Sequence, residues 1–133
     1  MNTSTDVLLA VNGTLMRGLA LNPNLLAVDA RFVREDFTAP CYRVWSIGDR
    51  HPAMQRVEEG GAAVALEIWA VPAAGLAQVL LQEPPGLCIG KVVLADGETL
   101  LGVLGEAWLC AGQPEITRYG GWRGYCAAQP DAP

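Results

Sequence analysis

Val7-Leu8-Leu9-Ala10-Val11 followed by Asn12-Gly13-Thr14-Leu15-Met16-Arg17-Gly18 reads as a buried strand that delivers a glycine loop. A short apolar run bounded by Asn-Gly suits a strand, and a glycine lets the backbone turn and approach a ligand without a Cβ in the way. Successive amide N–H groups in such a loop form a nest for an anion. An ordinary turn after a strand uses the same residues, so the loop takes its meaning from the rest of the chain.

Working outward, Asn22-Pro23 opens a short helix to about Val28, with Asn22 as its cap and Pro23 in its first turn. From Arg31 the pattern alternates as far as Phe37, and Thr38-Ala39-Pro40 separates it from a second strand, Tyr42 to Ile47, which predicts a hairpin with an irregular turn. Gly48 to Pro52 reads as a loop, with its histidine exposed, and Ala53 to Val57 as a short strand. Ala62 to Val71 is almost continuously apolar, broken by Glu67, and fits a central strand covered on both faces. Pro72 then opens the principal helix, whose Leu76, Val79 and Leu80 share a face until Pro84-Pro85-Gly86 stops it. Two strands follow, Leu87 to Leu94 and Thr99 to Cys110, joined at Asp96-Gly97 and with a bend expected at Gly102 or Gly105. The tail is dense in glycine and aromatics, and Trp122 and Tyr125 are expected to close one end of a barrel as core aromatics. These elements predict an α+β domain with a small, mixed, curved sheet or barrel, one principal helix and short accessory helices. The expected division is an N-terminal tail over 1–6, one domain over 7–126 and a frayed tail over 127–133.

Composition excludes several function classes. The chain has 133 residues, 51% of them apolar, and a net charge of -5, which fits one core-bearing domain. Lys91 is the only lysine and the eight arginines are scattered, so no basic stripe is present to follow a nucleic acid. A planar guanidinium suits a single carboxylate contact, which leaves a small anionic ligand open. No stretch has the length of a membrane span and no leader is evident, so a cytoplasmic protein is expected. Cys41, Cys88, Cys110 and Cys126 are widely spaced and His51 is the single histidine, which draws neither a metal site nor a redox motif. The thiols are expected reduced, with Cys88 and Cys110 as small core residues.

The order of four separated blocks resembles a known family. These are Asn12-Gly13-Thr14-Leu15, the Arg31-Phe32 to Tyr42-Arg43-Val44-Trp45 segment, Glu67-Ile68-Trp69-Ala70-Val71-Pro72, and Gly120-Gly121-Trp122-Arg123. The loop resembles the substrate loop of the γ-glutamylcyclotransferase-like fold, and the set resembles the C-terminal domain of allophanate hydrolase, here expected to stand apart from its amidase domain. The resemblance implies a cavity at the glycine loop in which backbone amides hold a carboxylate, and no cofactor. It implies one of two chemistries: a glutamate that shuttles a proton in a cyclotransferase, or a loop histidine in a decarboxylase. Leu15 stands at the position that alignment gives to the histidine, and a leucine moves no proton. Glu83 stands at the position of the cyclotransferase glutamate, followed by Pro84 instead of glycine.

The candidate catalytic residue is therefore Glu83, and the candidate ligand-binding residues are Asn12, Gly13, Thr14, Leu15, Arg43, Glu67 and Arg123. Thr14 adds a hydroxyl beside the loop amides, Glu67 alternates with Ala65 and Trp69 toward one face, and Arg43 and Arg123 are the arginines placed to meet a carboxylate. For each, an ordinary role competes: a solvated helix-end glutamate, a sheet-surface carboxylate, a surface ion pair. The functional readings are an enzyme acting on a small carboxylated amide, ureido or γ-glutamyl compound, a silent module that partners a separate amidase, and a sensor or carrier of the same ligands. A homodimer face is open in the second.

Overall fold

The computed structural model describes residues 5–129. Its five-stranded sheet has the order β2-β5-β1-β7-β6, and a separate two-stranded sheet is formed by β3 and β4. Strand β1 (Asp6–Val11) lies antiparallel to β5 (Ala65–Pro72) and parallel to β7 (Thr99–Gly105). Strands β2 (Arg31–Phe37) and β6 (Leu87–Val93) are the two edges, so among the described residues the sheet is open and forms no closed barrel. Helix α2 (Ala73–Leu81) is the longest helix, beside the shorter α1 (Asn22–Leu26), α3 (Ala107–Cys110) and α4 (Trp122–Ala128).

The apolar run at 7–11 becomes β1 because both its neighbours are strands and both its faces are covered, and Leu9, Ala10 and Val11 are buried with Ile68, Val71, Val79 and Val103. Central placement explains why β5 is apolar on both faces and carries Glu67 deep in the core. Helix α2 lies so close to the α1–β2 connection that a Cβ on Gly75 would stand 2.6 Å from Val28 Cβ. No helix among the described residues is long and apolar enough to cross a membrane.

Several expectations are corrected. The predicted hairpin between Arg31–Phe37 and Tyr42–Ile47 does not form: β2 pairs with β5, and β3 (Tyr42–Ile47) pairs with β4 (His51–Arg56). The intervening Thr38-Ala39-Pro40 crosses between the sheets. Its N–H groups at Thr38 and Ala39 bond Val64 and Val93 carbonyls, the Thr38 hydroxyl accepts from Val64 N–H, and Pro40 has no N–H with which to continue a ladder. The strand expected to run from Thr99 to Cys110 stops at Gly105, where a Cβ would stand 2.6 Å from Ala53 Cβ. The chain then turns into α3 so that Leu109 and Cys110 pack on Ile47 and Ala53, a case in which a short apolar run fits helix and strand equally.

Smaller corrections follow the same logic. Asn22 does not cap α1: Leu21 occupies the cap position, and the Asn22 amide donates to Leu15 O at 2.8 Å. Pro72 ends β5 and precedes α2 instead of occupying its first turn, and β5 begins at Ala65 instead of Ala62. Asp6 belongs to β1 and helix α4 runs to Ala128. Residues 1–4 and 130–133 of the expected tails lie outside the described ones. All four cysteines are free thiols, and Cys88 is half-buried instead of core. Trp122 is buried, whereas Tyr125 is half-buried with its hydroxyl on Asp49 Oδ1 at 2.7 Å.

Candidate functional site

At the end of β1 the chain is fixed by its own polar groups. The Asn12 side-chain amide donates to Val103 O at 2.9 Å, tying the start of the loop to β7. Met16 N–H donates to Gly13 O and Leu21 N–H to Thr14 O, which fold the loop back toward α1. Gly13 sits against β4 so tightly that a Cβ would stand 2.7 Å from Pro52 Cδ, a close approach that only glycine permits. Among the described residues the N–H groups of Gly13, Thr14 and Leu15 donate to no acceptor in the chain. Three consecutive unpaired amides on a rigid loop can hold an anion or a developing oxyanion.

Glu83 faces this loop. It follows the last turn of α2, its N–H donating to Leu80 O at 3.1 Å, and Pro84 holds it out of the helical conformation. One tight cleft is lined by Asn12, Gly13, Thr14, Leu15, His51 and Glu83, with Leu87 and Val103 behind them. Glu83 Oε2 is buried and has no hydrogen-bond partner, the one such side-chain atom among the described residues. Burial in these surroundings pushes the carboxyl up to about 7, because the charged form loses its water without gaining a donor. A carboxylic acid that titrates near neutrality can both accept and return a proton there.

His51 corrects the expectation of an exposed loop histidine. It is the first residue of β4, opposite Ile47, is buried, and lines the same cleft as Glu83. Its Nδ1 lies 3.1 Å from Pro52 O. Composition hid it: Gly48 and Asp49 both have left-handed φ, 59° and 58°, and Arg50 N–H donates to Ile47 O at 3.1 Å. Those residues close the tight β3–β4 turn. The Gly-Asp pair was the available hairpin signal.

Glu67, Arg123 and Arg43 lie outside this cleft. Glu67 is 1% exposed and accepts four hydrogen bonds. Arg17 N–H and Trp69 Nε1–H reach Oε1 at 2.9 and 3.1 Å, and Arg17 Nε–H and Arg123 Nη2–H reach Oε2 at 3.2 and 3.1 Å. Burial pushes this carboxyl up, but the Arg17 backbone N–H, Trp69, Arg123 and the Arg17 side chain together hold it below the ordinary carboxylate range. Arg123 also donates to Arg17 O. Glu67 and Arg123 thus clamp the far end of the loop, where they line a separate depression with Met16 and Phe37. Arg43, on β3, donates to Gly60 O and pairs with Glu115, away from the cleft. Leu15 is 2% exposed, an apolar wall whose carbonyl holds Asn22. Among the described residues no three His, Cys, Asp or Glu side chains group as metal ligands.

Comparison with known proteins places this architecture. The model of the allophanate hydrolase C-terminal domain matches residues 7–127. The chain belongs to that family. Urea amidolyase of Saccharomyces cerevisiae is 30% identical over an alignment of 129 positions that covers 92% of this chain and 7% of the amidolyase. The chain therefore spans about one fourteenth of the length of that curated relative. Among solved structures, a uropathogenic E. coli-specific protein is 58% identical with a TM-score of 0.91, over 95% of this chain and 99% of that one. Kluyveromyces lactis allophanate hydrolase is 29% identical with a TM-score of 0.86, over 92% of this chain and 21% of that one. An AIG2-like protein from Mus musculus, at 19% identity and a TM-score of 0.60 over 80% of each chain, shares the fold. Seen as an allophanate hydrolase C-terminal domain, the chain turns two polar clusters to opposite ends of one loop: a saturated one at Glu67 and an unsaturated one at Glu83.

Proposed function

We propose that this domain binds a small carboxylated amide, ureido or γ-glutamyl compound between the 12–15 loop and Glu83, and that Glu83 moves a proton on it. The observation that carries the reading is the buried, unpartnered Glu83 Oε2, which shares its cleft with three unpaired loop amides. A buried polar atom without a partner costs stability and is kept where it serves chemistry. The amides of Gly13, Thr14 and Leu15 hold the carboxylate or the oxyanion. In a cyclotransferase step Glu83 takes the proton from the substrate amine as it attacks the carbonyl carbon, and returns it to the leaving amine. In a decarboxylation the nitrogen–carboxylate bond breaks, its electron pair stays on nitrogen, and protonated Glu83 supplies the proton. Leu15 supplies nothing polar to either route except its backbone.

The test supplies N-carboxyurea precursors and γ-glutamyl amines separately to the wild type and to Glu83→Gln, following carbon dioxide and 5-oxoproline. Product from wild type that Glu83→Gln fails to form supports the reading, and equal turnover by both sinks it. A second reading is favoured by one observation: the matching region is only 21% of Kluyveromyces lactis allophanate hydrolase. In it the chain is a silent module that partners a separate amidase, and it predicts no product from either compound until such an amidase is added.

A further inference from the structure

The cleft at Glu83 is tight, but it opens beside a depression of about 410 Å³ that shares Thr14 and His51 with it. That volume falls within the range of small-molecule sites. Its walls are mainly apolar, from Leu21, Ile47, Pro85 and Leu109, and Trp108 stands at its edge, 61% exposed with its Nε1–H bonded to Glu106. One cation lines it. Arg50 is exposed on the β3–β4 turn, and its guanidinium makes no ion pair or hydrogen bond among the described residues. Arg17, Arg31, Arg34, Arg43 and Arg123 are each paired with a carboxylate and Arg118 lies over the Tyr119 ring; Arg56 is also exposed without a carboxylate, but Arg50 is the arginine that lines the depression. In a chain with net charge -5, a guanidinium left without a carboxylate beside an apolar hollow is matched to an anion arriving from outside.

Resting on the reading of the cleft given above, we infer that the ligand extends beyond it: the amide or ureido group enters between Thr14 and Glu83, while an apolar body fills the adjoining depression against Trp108 and Leu109 and a carboxylate on that body meets Arg50. The substrate class is thereby a substituted ureido acid or amide, larger than N-carboxyurea. Arg50 and Trp108 act as specificity-determining residues. An exposed guanidinium confers selectivity for anions, and an aromatic face adds area for a planar substituent.

Calorimetric titration with three probes tests this: N-carbamoylphenylalanine, N-carbamoylglycine, which lacks the apolar body, and N-carbamoylphenylalaninamide, which lacks the carboxylate. The first is expected to bind about tenfold tighter than either of the others. Arg50→Gln removes the preference for acid over amide, and Trp108→Ala removes the preference for phenylalanine over glycine. Equal affinity for all three probes, weakened alike by Glu83→Gln and indifferent to Arg50→Gln, overturns the extension and leaves the cleft reading standing. Failure of all three probes to bind the wild type overturns both.

Discussion

Two glutamates stand at opposite ends of one loop, Glu67 buried whole and Glu83 half-buried with one oxygen enclosed, and their surroundings differ in every respect that matters to chemistry. Glu67, in the middle of β5, meets four donors, and its charge is held below the ordinary carboxylate range. Glu83, after α2, has a buried oxygen that meets none and is pushed up to about 7. Burial alone therefore decides nothing. A carboxylate surrounded by donors is a structural tie whose proton is gone at neutral pH, and one starved of donors keeps a proton it can lend. The loop needs both, because Glu67 fixes Arg17 so that residues 12–15 hold their place before Glu83.

The sharpest way to break the comparison is to remove each function separately. Glu83→Gln is expected to lower turnover of the proposed substrate by about 10²-fold or more, the usual worth of a positioned acid or base, without lowering the thermal midpoint. Steady-state rates beside a melting curve check it, and a fall in both would make Glu83 a second structural tie. Glu67→Ala is the reciprocal case. It strands the Arg17 amide and the Trp69 indole without their acceptor, and is expected to cost about 2–4 kcal/mol, tempered by the half-exposed guanidinia. Denaturant melts would read this directly.

The pH dependence of stability sharpens the same contrast, because the two carboxyls tilt it in opposite directions. Glu83 has a folded value above the ordinary 4.5. Its contribution is present below about 4.5 and is lost as pH rises through about 7, since ionising it in place is costly. Glu83→Gln is therefore expected to match wild type near pH 4 and to exceed it by about 2–3 kcal/mol at pH 8. Glu67 is lowered, so its contribution is present above the ordinary range and is lost as acid protonates it. Melts of wild type, Glu83→Gln and Glu67→Gln across pH 4 to 8 check both signs, and a Glu83→Gln curve parallel to wild type would contradict the burial.

Much of this molecule is legible in its local pattern, and what is not has a common cause. The 7–11 strand, the Glu67 strand, the principal helix and the 87–105 hairpin are each set by periodicity and turn residues close in the chain. Which strands pair is decided at a distance. Nothing near Pro40 announces that β2 joins β5 while β3 turns away to β4. The site divides in the same way. The loop and Glu83 were marked by motif order, but the lost partner of Glu83 Oε2 depends on elements remote in sequence that crowd the cleft. His51 and Arg50 were hidden in a segment whose composition reads as a loop, although its Gly-Asp turn carries them to the mouth of the cleft. Arg43 and Glu67 show a further limit: alternation gives the face a side chain takes, not the groups of the chain it bonds there.

The smallest expected effect separates burial from the mere number of ion pairs. Arg17 bonds two carboxylates, Glu67 on its buried side and Glu35 on its exposed side, the latter at 2.7 Å and the shorter of the two. Were distance the measure, Glu35 would matter more. Its side chain is 73% exposed, however, so water competes for both partners and the net gain is about 0–0.5 kcal/mol. The Arg17 guanidinium, moreover, keeps Glu67 and the Phe32 ring beneath it, 3.8 Å from its carbon, when Glu35 is gone. Glu35→Gln is accordingly expected to leave stability within about 0.5 kcal/mol of wild type, with the difference vanishing at high salt. A loss approaching that of Glu67→Ala would mean that the loop is held from its solvent side, and the contrast between a saturated and a starved carboxylate would no longer explain how residues 12–15 are kept in place.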